Sequence, residues 1–298
     1  MTAFRYNTSG NWYKGNTHVH STASDGGKTH EELDAMYAGA GYDFLYHTDH
    51  WAASDAGSKD HDDALLWLDG IELDGKDHSG AYYHVVCLGK VTGITREMGF
   101  IPALESARAQ GALLILAHPH WTGNSMEDAV RGGFHGVEVY NHVCHWLNGK
   151  SGGGVHWSAM LERFPDTLAF SVDDAHIRPE HPGWNGGWIM VNVRELTREA
   201  IEKAIRSGNF YSTCGPEFHS ITCADGAVSI QTSPVQFARL VGPKSEGRRL
   251  GSFDGTLMTE ATFPIPREWP YAYLEIEDAQ GRGAWTNPLF VGEEDAQA

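Results

Sequence analysis

Apolar positions in the first two thirds of the chain switch repeatedly between a period near two and one near three and a half, which predicts alternating strands and helices. Thr29-His30-Glu31-Glu32 opens a helix as a capping box, Leu33, Met36, Tyr37 and Ala40 line one face, and Gly41 closes it. Asp43 to His50 reads as a strand running into a polar end, and after a loop rich in Asp, Ser and Gly, Asp69 to Leu73 and Tyr82 to Leu88 read as two more. A helix is predicted over Ile101 to Gln110, and Ala112 to Ala117 is the strongest buried-strand signal. Gly136 to Tyr140, Thr167 to Val172 and Trp188 to Val193 continue the strands, and Thr197 to Ser207 is a helix with Ile201, Ala204 and Ile205 on one face. This alternation predicts parallel strands with helical crossovers, as a barrel or an open sheet.

Near Gly215-Pro216 the pattern changes. His219 to Cys223 and Ala227 to Thr232 flank Asp225-Gly226, a hairpin signal, and Phe237 to Val241, Leu257 to Phe263, Tyr271 to Ile276 and Pro288 to Val291 read as short strands. The expected organisation is α/β over residues 1–215 with a small antiparallel β-sandwich-like domain over 216–298.

Composition narrows the function. With 298 residues and 41% hydrophobic positions the chain can bury a large core. A net charge of −17 argues against nucleic acid and anionic membrane as partners, which select for basic surfaces. Met1 to Lys14 has no apolar run of the signal-peptide kind, and no later segment approaches a membrane span. Cys87, Cys144, Cys214 and Cys223 form no C-x-x-C pair, so free thiols in a reducing cytoplasm are expected, with one disulfide left open. The expected partner is a small-molecule substrate, with a homo-oligomer also open.

Seventeen histidines need a cause. His18/His20, His118/His120 and Asp174/His176 are pairs two residues apart at strand ends, where a period of two puts both side chains on one face. Asp25, His50, Glu72 and His84 sit near similar ends. Imidazole mixed with carboxylate suits Zn, Mn or Fe(II), whereas Ca and Mg prefer oxygen alone. Burying so many ionisable groups together is costly without a cation.

His18-Val19-His20 with Asp25, Thr48-Asp49-His50, Gly70-Ile71-Glu72, Ala117-His118-Pro119 and Asp174-Ala175-His176 resemble, in order and spacing over about residues 15–215, the polymerase-and-histidinol-phosphatase (PHP) family. Gly136-Val137-Glu138-Val139-Tyr140-Asn141, Phe210-Tyr211 with Gly215-Pro216, and Ala284-Trp285-Thr286-Asn287-Pro288 resemble its CehA/McbA-like metallohydrolase branch. The resemblance implies a distorted (β/α)7 barrel with two or three divalent metals at the C-terminal rim. One metal would take His18, His20, Glu72 and Asp174. A second would share Glu72 and add His84, with His78 as a competitor, and His118. A third would use Asp25, His50 and His176.

Closely spaced dications would supply a metal-bridging hydroxide for hydrolysis, with His120 or His176 delivering a proton and Arg178 pairing with a phosphate. A phosphoesterase acting on a small phosphate ester is the leading expectation. A carboxylic ester, carbamate or amide hydrolase is the alternative, favoured by the few cations near the motifs, of which Lys14, Arg131 and Arg178 are the candidates. A non-catalytic metal-binding interaction module is the third reading. Asp49 is expected to orient His50 or cap its loop, and Glu138 to support the rim. His142, His145 and His156, around Ser151 to Gly154, are expected on a flexible surface loop, with a substrate lid as the alternative, and Trp51, Trp121, Trp184 and Trp188 in the core ahead of ligand stacking, although the first three follow polar loop motifs near the rim. His30, His47, His61, His135, His181 and His219 are assigned structural or exposed places.

Overall fold

A computed structural model describes residues 3–56 and 64–291; His61 lies outside them. The N-terminal two thirds run β1 (Asn11–Asn16), α1 (His30–Gly39), β2 (Phe44–Tyr46), β3 (Leu66–Leu68), β4 (Gly70–Lys76), β5 (Tyr82–Leu88), α2 (Phe100–Ala109), β6 (Leu113–Leu116), α3 (Pro119–Thr122), α4 (Met126–Arg131), β7 (Gly136–Asn141), α5 (His142–Asn148), α6 (Gly154–Leu161), β8 (Leu168–Val172), β9 (Trp188–Val193), α7 (Arg198–Ser207) and β10 (Phe210–Thr213). Then come β11 (Phe218–Ala224), β12 (Ala227–Val235), β13 (Phe237–Val241), β14 (Gly247–Gly251), β15 (Met258–Pro264), β16 (Tyr273–Glu277) and β17 (Gly283–Thr286).

Local chemistry explains the elements that the pattern predicted. Thr29 accepts from the Glu32 amide, the Glu32 carboxylate accepts from the Thr29 amide, and Leu33 and Tyr37 are buried on the inner face of α1. All four residues of β6 are buried: Leu114 and Leu116 pack with Val85, Cys87 and Val137, while Leu113 and Ile115 pack with Phe44 and Phe170. A strand with two buried faces shows a continuous apolar run, and each such side chain contributes roughly 1.5–3 kcal/mol. Asp225 and Gly226 both take positive φ, 51° and 77°, as the tightest hairpin turns require.

The fold is mixed α/β with three open sheets among the described residues. Nine strands follow the order β14-β13-β16-β17-β10-β9-β1-β2-β3, five follow β4-β5-β6-β7-β8, and β11-β12-β15 form the third. The expected run of parallel strands is interrupted: β4, β5 and β6 pair antiparallel, and β9 runs antiparallel to β1 and β10. The turn between β4 and β5, where Asp77 accepts from the amides of Ser79 and Ala81, is too short for a crossover and forces a hairpin. Two single parallel bridges, Val19 with Ala175 and His50 with Glu72, link the large sheet to the five-stranded one.

Hydrogen bonding continues past residue 216, because β17 pairs with β10. Asn287 secures that join, its amide donating to the carbonyls of Gly208 and Phe210 and its carbonyl accepting from the Ala169 amide. The expected strand over Pro288 to Val291 is a single bridge between Phe290 and Phe4. The expected loop around His142 to His156 is instead two helices. Asn141 caps α5 by accepting from the Cys144 amide, and Gly149 at φ 75° ends it. All four cysteines are free thiols, and among the described residues no helix is long and apolar enough to cross a membrane.

Candidate metal centre

The two strand-to-strand bridges sit where the polar strand ends meet. His18 and His20 follow β1 on extended backbone, and their Nε2 atoms lie 3.1 Å apart, on one face as the spacing predicted. Glu72 reaches them from β4 and Asp174 from the end of β8. His18 Nε2 is 3.1 Å from Glu72 Oε2 and 3.3 Å from Asp174 Oδ1, and His20 Nε2 is 3.2 and 3.1 Å from the same two atoms. All four side chains are buried.

This set fits a metal ion on its own chemistry. Glu138 Oε1 lies 2.6 Å from His18 Nδ1, so Nδ1 keeps its proton and Nε2, which faces two carboxylate oxygens, is the nitrogen available to a metal. Glu72 Oε2 has no hydrogen-bond partner. His18, His20 and Glu72 face one point, where either protons or a cation must lie between them. Ligands about 2.0 Å from a tetrahedral ion stand roughly 3.3 Å apart, which is the spacing these three keep from one another, and Asp174 Oδ1 lies 3.1–3.3 Å from both imidazoles.

A second group joins His20, Asp25, His50 and His176. His176 Nε2 is 3.3 Å from Asp25 Oδ2, and the rings of His20 and His176 are 4.2 Å apart. A third joins His50, Glu72 and His84, with His84 Nδ1 2.8 Å from Glu72 Oε1. His118 borders it, its Nε2 3.6 Å from Glu72 Oε1 and 3.7 Å from Asp174 Oδ2. His84 faces the cluster, whereas His78 is exposed on the hairpin turn.

The surrounding groups hold these side chains in place. Besides its contact with His18, Glu138 accepts from the His118 amide and from Asn141 Nδ2, which also donates to Asp174 Oδ2. Asp49 caps the Asp25 loop by accepting from the Ser21 amide and the hydroxyls of Ser21 and Ser24. Asp173 accepts from Tyr37 and from three successive amides, Asn185 to Gly187. Trp51, His118, Asp174 and Ile177 take positive φ, between 28° and 55°. None is a glycine, and such strain gathers at sites the surrounding structure over-determines.

Charge follows from the packing. Burial opposes protonation of His18, but Asp174, Glu72 and Glu138 outweigh it and hold its pKa well above the ordinary value. His20 is likewise raised to about 9, through Asp174 and Glu72. Burial would raise Glu72 and Asp174, yet the neighbouring imidazoles hold both carboxyls below their usual range. Without metal the cluster is therefore an imidazolium–carboxylate network, and a dication bound there takes over the protons' role.

Four expectations fail in instructive ways. His120 is exposed and absent from the cavity lining, because Pro119 starts α3 and helical rotation turns it away from His118. Trp121, expected in the core, is 37% exposed and lines the cavity. His156, on α6, is buried and its Nε2 meets the Asn124 carbonyl at 2.8 Å. His181, assigned a structural or exposed place, lines the cavity. It is carried there by a tight turn in which Arg178 and His181 exchange backbone hydrogen bonds, a pairing that no period in the sequence announces. Of the candidate cations, only Arg178 lines the cavity, 3.9 Å from Asp25. Lys14 lies over the Tyr42 and Trp188 rings, and Arg131 pairs with Asp77 and Asp128.

The cavity over the cluster has a volume of about 220 Å³. Its lining divides into a polar set, Asp25, His176, Arg178 and His181, and a largely apolar set, Trp121, Val143, Cys144 and Leu147.

The chain shares its fold with a solved protein of two-domain architecture. A two-domain protein from Bacteroides vulgatus, containing a predicted PHP-like metal-dependent phosphoesterase, superposes with a TM-score of 0.54 over 97% of this chain and 98% of its own, at 15% identity. An inferred metal-dependent phosphoesterase from Bifidobacterium adolescentis matches 65% of the chain and 96% of its own at 14% identity and a TM-score of 0.42. An amidohydrolase from Chromobacterium violaceum with bound sulfate and no metal matches 66% of the chain and 96% of its own, at 14% identity and 0.41. No family model and no curated protein matches the chain.

Proposed function

We propose that this protein is a metal-dependent hydrolase, with a small phosphate ester as the leading substrate class. The observation that carries the reading is the convergence of His18, His20 and Glu72 on one point, with Asp174 Oδ1 3.1–3.3 Å from both imidazoles and all four side chains buried. His50, His84, His118 and the Asp25–His176 pair supply donors for one or two further ions beside it. Zn, Mn and Fe(II) match this mixture. Divalent ions bound there supply a Lewis acid and an activated water.

The chain's own residues do the rest. Glu138 fixes the tautomer of His18, and Asn141 aims Asp174. Arg178 offers the charge for an anionic oxygen of the substrate. His176 and His181 belong to the same polar part of the lining and take the proton-delivery role expected of His120. In hydrolysis the water oxygen bonds to phosphorus, the bond from phosphorus to the ester oxygen breaks, and the proton passes to that leaving oxygen. We read strands β1, β2 and β4 to β8 as a distorted barrel with its seams at the Val19–Ala175 and His50–Glu72 bridges, and residues 216–298 as a β domain docked on it.

One observation favours the carboxylic ester, carbamate or amide alternative of the CehA/McbA type: among the described residues Arg178 is the one cation lining the cavity, with Arg96 on the adjoining one, where a phosphate is usually clamped by more than one cation. The deciding experiment reconstitutes the protein with Zn, Mn or Fe(II) and compares p-nitrophenyl phosphate, bis-p-nitrophenyl phosphate and p-nitrophenyl acetate, with Asp174→Ala as the control. Metal-dependent cleavage that Asp174→Ala abolishes supports the reading; cleavage that survives the substitution overturns it.

A further inference from the structure

The apolar part of the cavity lining is not needed to hold a metal, and its chemistry is different. Val143, Cys144 and Leu147 share one face of α5, at i, i+1 and i+4, and Trp121 on α3 continues that surface. Trp121 stands edge-on to the cluster imidazoles, its ring 5.2 Å from that of His118 at 83° and 6.0 Å from that of His84 at 88°. Cys144 adds no nucleophile, because burial and then Asp174, Glu138 and Glu72 push its thiol pKa far up and leave it a small apolar contact.

α5 is held over the cavity at both ends. Asn141 caps its start, and the Trp146 indole donates to the Glu180 carbonyl on the turn that carries Arg178 and His181. The apolar lining and the Arg178–His181 turn are therefore tied together in one frame. Substrate water gains nothing from an apolar surface, whereas an apolar group gains about 25 cal/mol for each Å² it buries there.

We propose that Trp121, Val143 and Leu147 form a specificity pocket for a compact apolar group, the size of a single ring, attached next to the scissile bond. The volume sets that size. A cavity of about 150 Å³ holds one benzene, so about 220 Å³ holds a ring and a small anionic head group, and a wider cavity of about 470 Å³ that shares Asp25, His50 and His84 is left for any larger remainder of the substrate. The ring lies against Trp121 and Leu147, and the anionic head lies between the cluster and Arg178. Which bond is cut rests on the hydrolase reading; the ring preference does not.

The test uses probe pairs that differ only in the ring. Zn- or Mn-loaded protein is titrated with phenylphosphonate against methylphosphonate, and with phenylacetate against acetate, following thermal stabilisation. Phenyl phosphate and methyl phosphate are compared by kcat/KM. The ring-bearing member is expected to bind and react at least about tenfold better, and Trp121→Ala and Leu147→Asn are each expected to shrink that ratio toward one. Trp121 and Leu147 are both partly exposed, and the circular dichroism and metal content of each variant verify its fold. Equal binding of both members in at least the pair that binds, or a ratio unmoved by both substitutions, overturns the pocket even if both esters are cleaved. Ring-selective binding without cleavage of any ester sustains the pocket and overturns the hydrolase reading. Absence of binding by all four probes overturns the pocket.

Discussion

Glu138 Oε1 lies 2.6 Å from His18 Nδ1, on the side of the ring turned away from the cluster. That contact keeps a proton on Nδ1, so Nε2, which faces Glu72 and Asp174, is the nitrogen that gives up its proton when a metal binds. Glu138 is buried, and its second oxygen holds the His118 amide.

Replacing Glu138 by Gln is expected to weaken metal binding about 10- to 100-fold, the usual cost of losing an orienting carboxylate. Competition against a chromophoric chelator measures it. Unchanged affinity would show that His18 needs no such partner.

Metal addition is expected to raise the melting temperature of chelator-treated protein by several degrees. Ligand at a hundredfold excess over Kd contributes about 2.7 kcal/mol, and each kcal/mol is worth roughly 2–4 °C in a chain of this order of size. Asp174→Ala should remove the increment. A shift of equal size in that variant would place the ion elsewhere.

Substitutions at the two proton-donor positions are expected to separate. His120→Ala, on the exposed face of α3, should leave kcat within about twofold, whereas His181→Ala and His176→Ala should lower it by about 10²-fold or more, the usual contribution of a general acid. Metal content of each variant distinguishes lost proton transfer from a lost ligand.

The metal-free protein should show a stability maximum in mildly acidic solution. His20 is raised to about 9 from 6.5, so its contribution is complete below 6.5 and is lost as pH climbs through about 9. Glu72, Asp25 and Asp174 are depressed, so their contribution is present above their unfolded values of 3.8–4.5 and is lost as pH falls through the lower folded ones. Urea midpoints measured in chelator should therefore be higher at pH 5.5 than at pH 9.5. With metal bound the imidazoles must be neutral, so the metal-dependent increment should grow from pH 5.5 to pH 8.

The sequence by itself determined the elements whose signal is local. The capping box at Thr29, the apolar run of β6 and the Asp225-Gly226 turn depend on neighbours in the chain, and each formed where its pattern placed it. The spacing of His18 and His20 likewise determined that they share a face, because period two is a property of extended backbone alone. The same rule misplaced His120, since Pro119 starts a helical turn and replaces the strand period with another. Tertiary structure alone decided the rest. Glu138 became the anchor of His18, 120 positions away in the chain, because β7 lies in the sheet that ends beside β1. His181 reached the cavity through a turn closed by its own backbone, and Trp121, Val143 and Leu147 came to line it together only when α3 and α5 were packed beside the cluster. Periodicity reports which way a side chain faces relative to its own element; which element it then meets depends on sheet order and long-range packing, and neither leaves a periodic trace in the chain.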